Sequence, residues 1–253
     1  MHAVFKTDKG KIREANEDAG GIFYNVDGQL LAVVADGMGG HQAGDVASRL
    51  AVEHLREEWE HMNQFTDVNE LKDWLENVIT DTNEVLKQHA EIHQECAGMG
   101  TTLIAASVID QQVIAGHIGD SRLYHIHDGE IDQKTDDHSF VNELVLQGHI
   151  TKEEAESHPR KNVLTRALGT ENEVTVDTLS FDWEDHSYCL LCTDGLTNKL
   201  SDSELLDRLI EEESMENKVD NLLNEANQRG GEDNITVALI QLSHDEEGDS
   251  SWS

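Results

Sequence analysis

Three apolar runs in this chain end on an aspartate beside a glycine: LLAVVADG (Asp36, Gly37), AGHIGDS (Gly119, Asp120) and YCLLCTDG (Asp194, Gly195). A fourth aspartate, Asp233 in GGEDNITVALIQ, stands just ahead of another apolar run. A carboxylate at the rim of a buried strand loses hydration and repels its neighbours unless a cation compensates it. Oxygen ligands arriving from separate strands are what Mg²⁺ or Mn²⁺ requires. Any one Asp-Gly pair is also ordinary turn chemistry, so the inference rests on the repetition at strand ends.

Near the N-terminus, KIREANEDA brings together Arg13, Asn16, Glu17 and Asp18. An arginine can grip a phosphate through two parallel hydrogen bonds, and carboxylates beside an ion orient its water, although such a segment alone also reads as a solvated loop. In ADGMGGHQAGDVAS, Gly37, Gly39 and Gly40 allow backbone to approach an ion or phosphate before a helix begins. The Gly-Lys-Ser/Thr ending of a nucleotide-binding loop is missing from it. The chemistry these residues suit is metal-assisted hydrolysis of a phosphate ester.

The elements that must position them follow from the hydrophobic periods. GGIFYNV and QLLAVVADG flank Asp27-Gly28 and predict a tight β-hairpin. Apolar residues at helical spacing predict two long helices, about 43–62 and 68–92, with Trp59 and Trp74 as core anchors. The runs TLIAASVID, QQVIAGHIGD and RLYHIHDGEI predict an antiparallel meander, with His125 and His127 on the polar face of a strand. Two short helical pieces separated by Gly148 and closed by Pro159 follow, then strands at EVTVDTLSF and SYCLLCTDG, helices at about 201–212 and 216–228, and a last strand, NITVALIQLS. Helices set among two groups of antiparallel strands predict an α+β fold, a sandwich of two sheets with helices outside.

With 18 basic and 52 acidic residues, the net charge of −34 repels nucleic acids and acidic lipid surfaces. No run approaches the ~18 apolar residues of a membrane span and no signal-peptide pattern opens the chain, so a cytoplasmic protein is expected. Three cysteines, Cys96, Cys189 and Cys192, suit a reducing compartment, and the latter two sit in an apolar strand as buried structural thiols. No heptad pattern pairs helices, and a monomer is expected. The last residues, 243–253, are acidic and read as disordered.

Eight segments then carry a resemblance: R-x-x-N-E-D-A at 13–19, ADGMGGH at 35–41, GMGTT at 98–102, GDSR at 119–122, DDHS at 136–139, NVLTRALG at 162–169, TDGL at 193–196 and EDNIT at 232–236. In this order they resemble the motifs of the metal-dependent type 2C protein serine/threonine phosphatases, in their bacterial branch, over residues 1–242 as one catalytic domain. The resemblance implies a four-layer α-β-β-α sandwich with a small helical flap at about 136–160. It implies that Asp36 bridges two Mn²⁺ or Mg²⁺ ions, that the Gly37 carbonyl binds one of them, and that Asp194 and Asp233 complete the other's protein ligands. Asp120, with Asp194, would hold a third, accessory ion; Arg13 would bind the substrate phosphate; Glu17 and Asp18 would orient water.

The activity implied is hydrolysis of phosphoserine and phosphothreonine on proteins by a water bridging the ions, opposite a cognate bacterial serine/threonine kinase. Animal members carry a histidine where this chain has Met38, which leaves the general acid open; His41 is a candidate, and so is an ordinary surface role for it. Two rivals stay in view: a catalytically silent metal-binding relative, and a two-metal nuclease or small-ester hydrolase. The intact aspartates disfavour the first and the acidity the second.

Overall fold

Burial alternates along the strands, and the alternation sets the layers. The computed structural model describes residues 1–40 and 43–243. One sheet orders its strands β1-β11-β10-β7-β8, with β1 at His2–Asp8, β7 at Arg122–His127, β8 at Glu130–Gln133, β10 at Ser187–Cys192 and β11 at Ile235–Leu242. The other runs β2-β3-β5-β6-β9, with β2 at Asp18–Tyr24, β3 at Leu30–Met38, β5 at Leu103–Ile109, β6 at Gln112–Ile118 and β9 at Asp177–Asp182; a short β4, Gly100–Thr101, pairs with the end of β3. All pairings are antiparallel.

Along β3, Leu30, Ala32 and Val34 meet Leu191, Ala238 and Ile240 between the sheets. Leu31, Val33 and Ala35 face the other way, toward α1 (Ala43–Glu60) and α2 (Val68–Ile92). The first sheet likewise turns Leu190, Cys192, Val237 and Leu239 toward α6 (Asp202–Leu209) and α7 (Met215–Gln228). Four layers result, helix, sheet, sheet, helix, as expected of the α+β sandwich. Each apolar face is covered, which is the condition for burying a two-sheet core.

Local chemistry explains the long helices. Asp67 Oδ1 accepts from the backbone amides of Asn69 (2.8 Å) and Glu70 (3.1 Å), capping α2. Trp59 is fully buried against Phe65 and Trp74, with ring centroids 5.8 and 5.1 Å away. Its indole N–H donates to the Gln29 carbonyl at 3.2 Å. Two short helices, α3 (Phe140–Leu146) and α4 (Lys152–Glu156), occupy the predicted insertion, and Gly148 between them has φ +71°. Cys96, Cys189 and Cys192 are buried and free, and burial pushes the Cys192 thiol up to about 12.

Three expectations need correction, and one strand was missed. The 24–30 connection is a five-residue loop, not a two-residue turn: the Asn25 side chain accepts from the amides of Asp27 (3.1 Å) and Gln29 (2.8 Å), and only Gly28 takes positive φ, +83°. The meander is split, because β5 and β6 belong to one sheet and β7 and β8 to the other. Gly119, at φ +105°, turns the chain between them. His125 does not face solvent; it is 1 % exposed and lies against Phe181, ring centroids 5.0 Å apart. β1 was not anticipated, since Val4 and Phe5 are bounded by Lys6, Thr7 and Asp8 and form a strand only by pairing with β11. The tail from 244 lies outside the described residues.

Trp59→Ala should cost about 3–5 kcal/mol in urea unfolding, the range for emptying an aromatic core site. Burial also lowers His117 and His125 to about 4. Both are neutral in the fold and must charge when it opens, so their contribution is present above the unfolded value of about 6.5 and is lost as pH falls toward 4. The histidine share of stability should therefore be lost between pH 7 and pH 5, and His125→Leu should show less acid loss in its urea midpoint over that window than the wild type measured alongside it.

Candidate metal centre and active site

The ends of β2 and β3 build the floor of a cleft. Asp18 and Asp36 are cross-strand partners in that pair. Asp36 is held by its backbone: its amide donates to Thr102 Oγ1 at 2.9 Å, and its carbonyl accepts from the Thr102 amide at 2.9 Å and from Thr101 Oγ1 at 2.9 Å. Gly37 follows, its amide donating to the Glu17 carbonyl at 3.0 Å. A β-carbon on Gly37 would lie 2.1 Å from the Gly44 carbonyl oxygen and 2.4 Å from that of Glu17, so only glycine fits where α1 begins against the loop.

The first sheet supplies the opposing wall. Thr193, just before Asp194, and Thr236, on β11, both donate to Asp18 Oδ2, at 2.9 and 2.7 Å. Asp194 opens a one-turn helix, α5 (Asp194–Thr197), and accepts from Asn198 Nδ2 at 2.9 Å. Asp233 accepts from Arg13 at 2.8 Å. Asn234 ties the loop down: its Oδ1 accepts from the Glu17 amide at 2.8 Å, and its Nδ2 donates to the carbonyls of Lys9 (2.8 Å) and Ala15 (3.0 Å). Asp120 enters from the turn where the chain crosses between sheets, and a hydrogen bond of 2.8 Å between Thr102 Oγ1 and Ser121 Oγ joins that turn to β3.

Electrostatics show that these carboxylates are mutually strained. Asp36 is pushed well above the usual carboxylate range by burial and then by Asp18, Asp194, Asp120 and Asp233. Burial, with Asp194 and Asp137, raises Asp120 to about 8. Burial raises Asp18 to about 7 against the pull of Thr236 and Thr193. Asp194 rises through burial and Asp233, and Glu17 through burial. Asp18 Oδ1 is buried without a hydrogen-bond partner. Arg13 is the cation in contact with the group, and it is committed to Asp233. An all-oxygen donor set with surplus negative charge fits hard divalent cations.

The model of the protein phosphatase 2C family matches residues 11–239. The chain belongs to that family. It is 46% identical over 241 residues to the serine/threonine phosphatase stp of Listeria welshimeri, covering 95% of this chain and 96% of that one. It is 40% identical to protein phosphatase PhpP of Streptococcus pneumoniae over 97% of this chain and 99% of that one. The crystal structure of Stp1 from Staphylococcus aureus superposes with a TM-score of 0.92 at 42% identity, covering 96% and 95% of the two chains. This phosphatase is a metal-dependent enzyme of the protein serine/threonine class. No described helix is long and apolar enough to cross a membrane.

In the phosphatase, sequence reasoning found the carboxylates and missed what holds them. Thr193, Thr236, Asn234, Asn198 and Thr102 are polar residues inside or beside the motifs, with nothing in spacing alone to say which carboxylate each one serves. The GDSR and DDHS segments meet: Arg122 binds both oxygens of Asp137 at 2.7–3.1 Å, and the His138 amide donates to the Gly119 carbonyl at 2.9 Å. His138 Nδ1 in turn accepts from the Gly119 amide at 3.0 Å, so its Nε2 carries the proton given to Asp177 at 3.1 Å. His117, His138 and Asp177 place ligand atoms within 4.8 Å of one another. Both Asp177 oxygens are already paired with Arg166, at 2.7 and 3.2 Å, and the His117 and His138 rings stack at 4.6 Å. Stacked rings and a guanidinium-bound carboxylate are poorly set for a cation, and this group reads as the anchor that joins the segment leading into α3 to the Gly119 turn. His41 lies outside the described residues. Met38 pairs with Gly100 across β3 and β4 and has no proton to give.

Thr236→Val removes one of two donors from buried Asp18 and should cost about 1–3 kcal/mol in urea unfolding. Asp36→Asn relieves repulsion, so in EDTA it should melt above the wild type. Added Mn²⁺ should raise the melting temperature of the wild type and not that of the variant.

Proposed function

We propose that the cleft hydrolyses phosphoserine and phosphothreonine on proteins through a core of two Mn²⁺ or Mg²⁺ ions held by Asp36, the Gly37 carbonyl, Asp194 and Asp233. The observation that carries this reading is the convergence of carboxylates from both sheets, with Asp36, Asp120 and Asp194 raised first by burial and then by neighbouring carboxylates, on a site where Arg13 is paired with Asp233. When bound, the ions would supply a water of lowered pKa and neutralise charge on the phosphoryl oxygens. Asp120, with Asp194, would hold an accessory third ion; the effect of Asp194 on Asp120 supports the pairing.

The chain's own residues divide the remaining work. Arg13 presents its guanidinium at the mouth of the cleft, oriented by Asp233, and takes two phosphate oxygens in parallel hydrogen bonds. Glu17 and Asp18 orient water: Glu17 is fixed through its backbone by Asn234 and Gly37, and Asp18 keeps one oxygen free while two threonines hold the other. The backbone of β3, fixed by Thr101 and Thr102, keeps Asp36 and Gly37 in register. With methionine at position 38, the proton for the departing serine or threonine oxygen comes from solvent in the cleft or from His41.

Serine and threonine phosphates on proteins are made by kinases, and on this reading the phosphatase works opposite a serine/threonine kinase in the cytoplasm; its three free, buried cysteines support a reducing compartment. The described exposed apolar side chains, among them Ile12, Tyr24, Ile92 and Ile210, come from separate elements, which supports a monomer.

Hydrolysis of a phosphothreonine peptide should require Mn²⁺ or Mg²⁺, stop in EDTA, and fall at least 100-fold in Asp194→Ala, on the order of the loss when a transition-state charge is left uncompensated. Metal-independent turnover would sink the reading. Asp120→Ala should keep two ions by metal analysis while turnover drops; loss of all metal would merge the accessory site with the core.

A further inference from the structure

Arg13 lines a groove of about 940 Å³. Glu14 and Glu17 from the N-terminal loop, Val46 from α1, His89 near the end of α2 and Glu95 from the turn that follows line it. The volume lies in the range of built ligand sites, ~300–1,000 Å³, larger than a phosphoryl group alone needs. A protein substrate that places its phosphate on Arg13 must lay neighbouring residues somewhere, and this trough opens directly on that guanidinium.

The charge in the groove is one-sided. Arg13 is its one cation among these lining residues and is paired with Asp233 at 2.8 Å. Glu95 is 76% exposed, its contact being His93 at 3.6 Å. Burial and the neighbouring His93 lower His89, which keeps it neutral near pH 7. Val46 adds an apolar stretch on which the methylene stem of a lysine or arginine can lie while its charged end reaches a carboxylate.

We propose that this groove binds the substrate segment flanking the phosphorylated residue and selects segments carrying lysine or arginine, an inference that rests on Arg13 holding the phosphate. The phosphate and the basic flank then meet groups of opposite sign in one groove, positive at Arg13 and negative at Glu14 and Glu95. Net charge alone would favour basic peptides without regard to place, so the test must separate the groove from the whole surface.

The measurement is kcat/KM of the Mn²⁺-loaded enzyme for two phosphothreonine peptides, one flanked on both sides by lysines and the other by glutamates, with phenyl phosphate as a substrate that cannot enter the groove. The lysine peptide should be preferred. Glu14→Lys with Glu95→Lys should shrink the preference by about two- to fivefold per charge, the scale of exposed ion pairs, while phenyl phosphate hydrolysis holds. Glu212→Lys, beyond α6, changes charge elsewhere and should leave the preference near the wild-type value. An unchanged preference in the double variant, or an equal loss in Glu212→Lys, overturns the proposal. If Arg13→Ala leaves KM for both phenyl phosphate and the peptides unaltered, the placement of phosphate on Arg13 fails, and the groove assignment fails with it. A shift for the peptides alone sets Arg13 against the peptide and not the phosphate, which overturns that placement as well; a shift for both substrates, with the lysine preference unchanged in the double variant, leaves the placement standing and faults the groove.

Discussion

The organising constraint of this phosphatase is repulsion among carboxylates brought together at the strand ends of two sheets. Asp18 and Asp36 arrive from one sheet, Asp194 and Asp233 from the loops bounding the other, and Asp120 from the turn between them. Burial and mutual repulsion disfavour the charged forms of Asp18, Asp36 and Asp120 there. The surrounding threonines and asparagines fix positions without supplying charge. That division leaves the site rigid in geometry and deficient in positive charge, the state in which a divalent ion binds with most gain.

The sandwich exists to make that meeting possible. Its inter-sheet layer, from Leu30, Ala32 and Val34 to Ala238 and Ile240, sets how far apart the two rims stand. Packed interiors transmit displacement, so a change in that layer shifts the carboxylates on one rim relative to those on the other. The Gly119 turn closes the gap at one point, and His138, with Arg122 and Asp137, fastens the segment leading into α3 to the same turn. The start of the helical insertion and the Gly119 turn are therefore parts of one hydrogen-bonded unit.

Much of this was legible in the sequence, and the remainder was not for identifiable reasons. The Ala43 and Val68 helices were readable because long amphipathic periods average over local exceptions, and Asp36, Asp120, Asp194 and Asp233 because acid at the end of an apolar run is conspicuous. β1 escaped notice because its strand character comes from pairing with β11, more than two hundred residues away. His125 was misplaced because alternation shows which residues share a face, not whether that face meets water or a second sheet. The roles of Thr193 and Thr236 could not be read, since a threonine in a strand is commonplace until Asp18 is seen beside it.

The bond from Arg13 to Asp233 spans 220 positions, and that from Thr236 to Asp18 spans 218. A ribosome delivers residues at ~5–20 per second, so the loop made first waits on the order of ten seconds or more for the partners made last. Until then no Arg13 is oriented and no Asp18 is anchored, whatever else has folded. The enzyme's competence is therefore a property of the completed chain: a growing or prematurely ended copy holds half of the cleft, and no partly made phosphatase can strip phosphate from proteins around it.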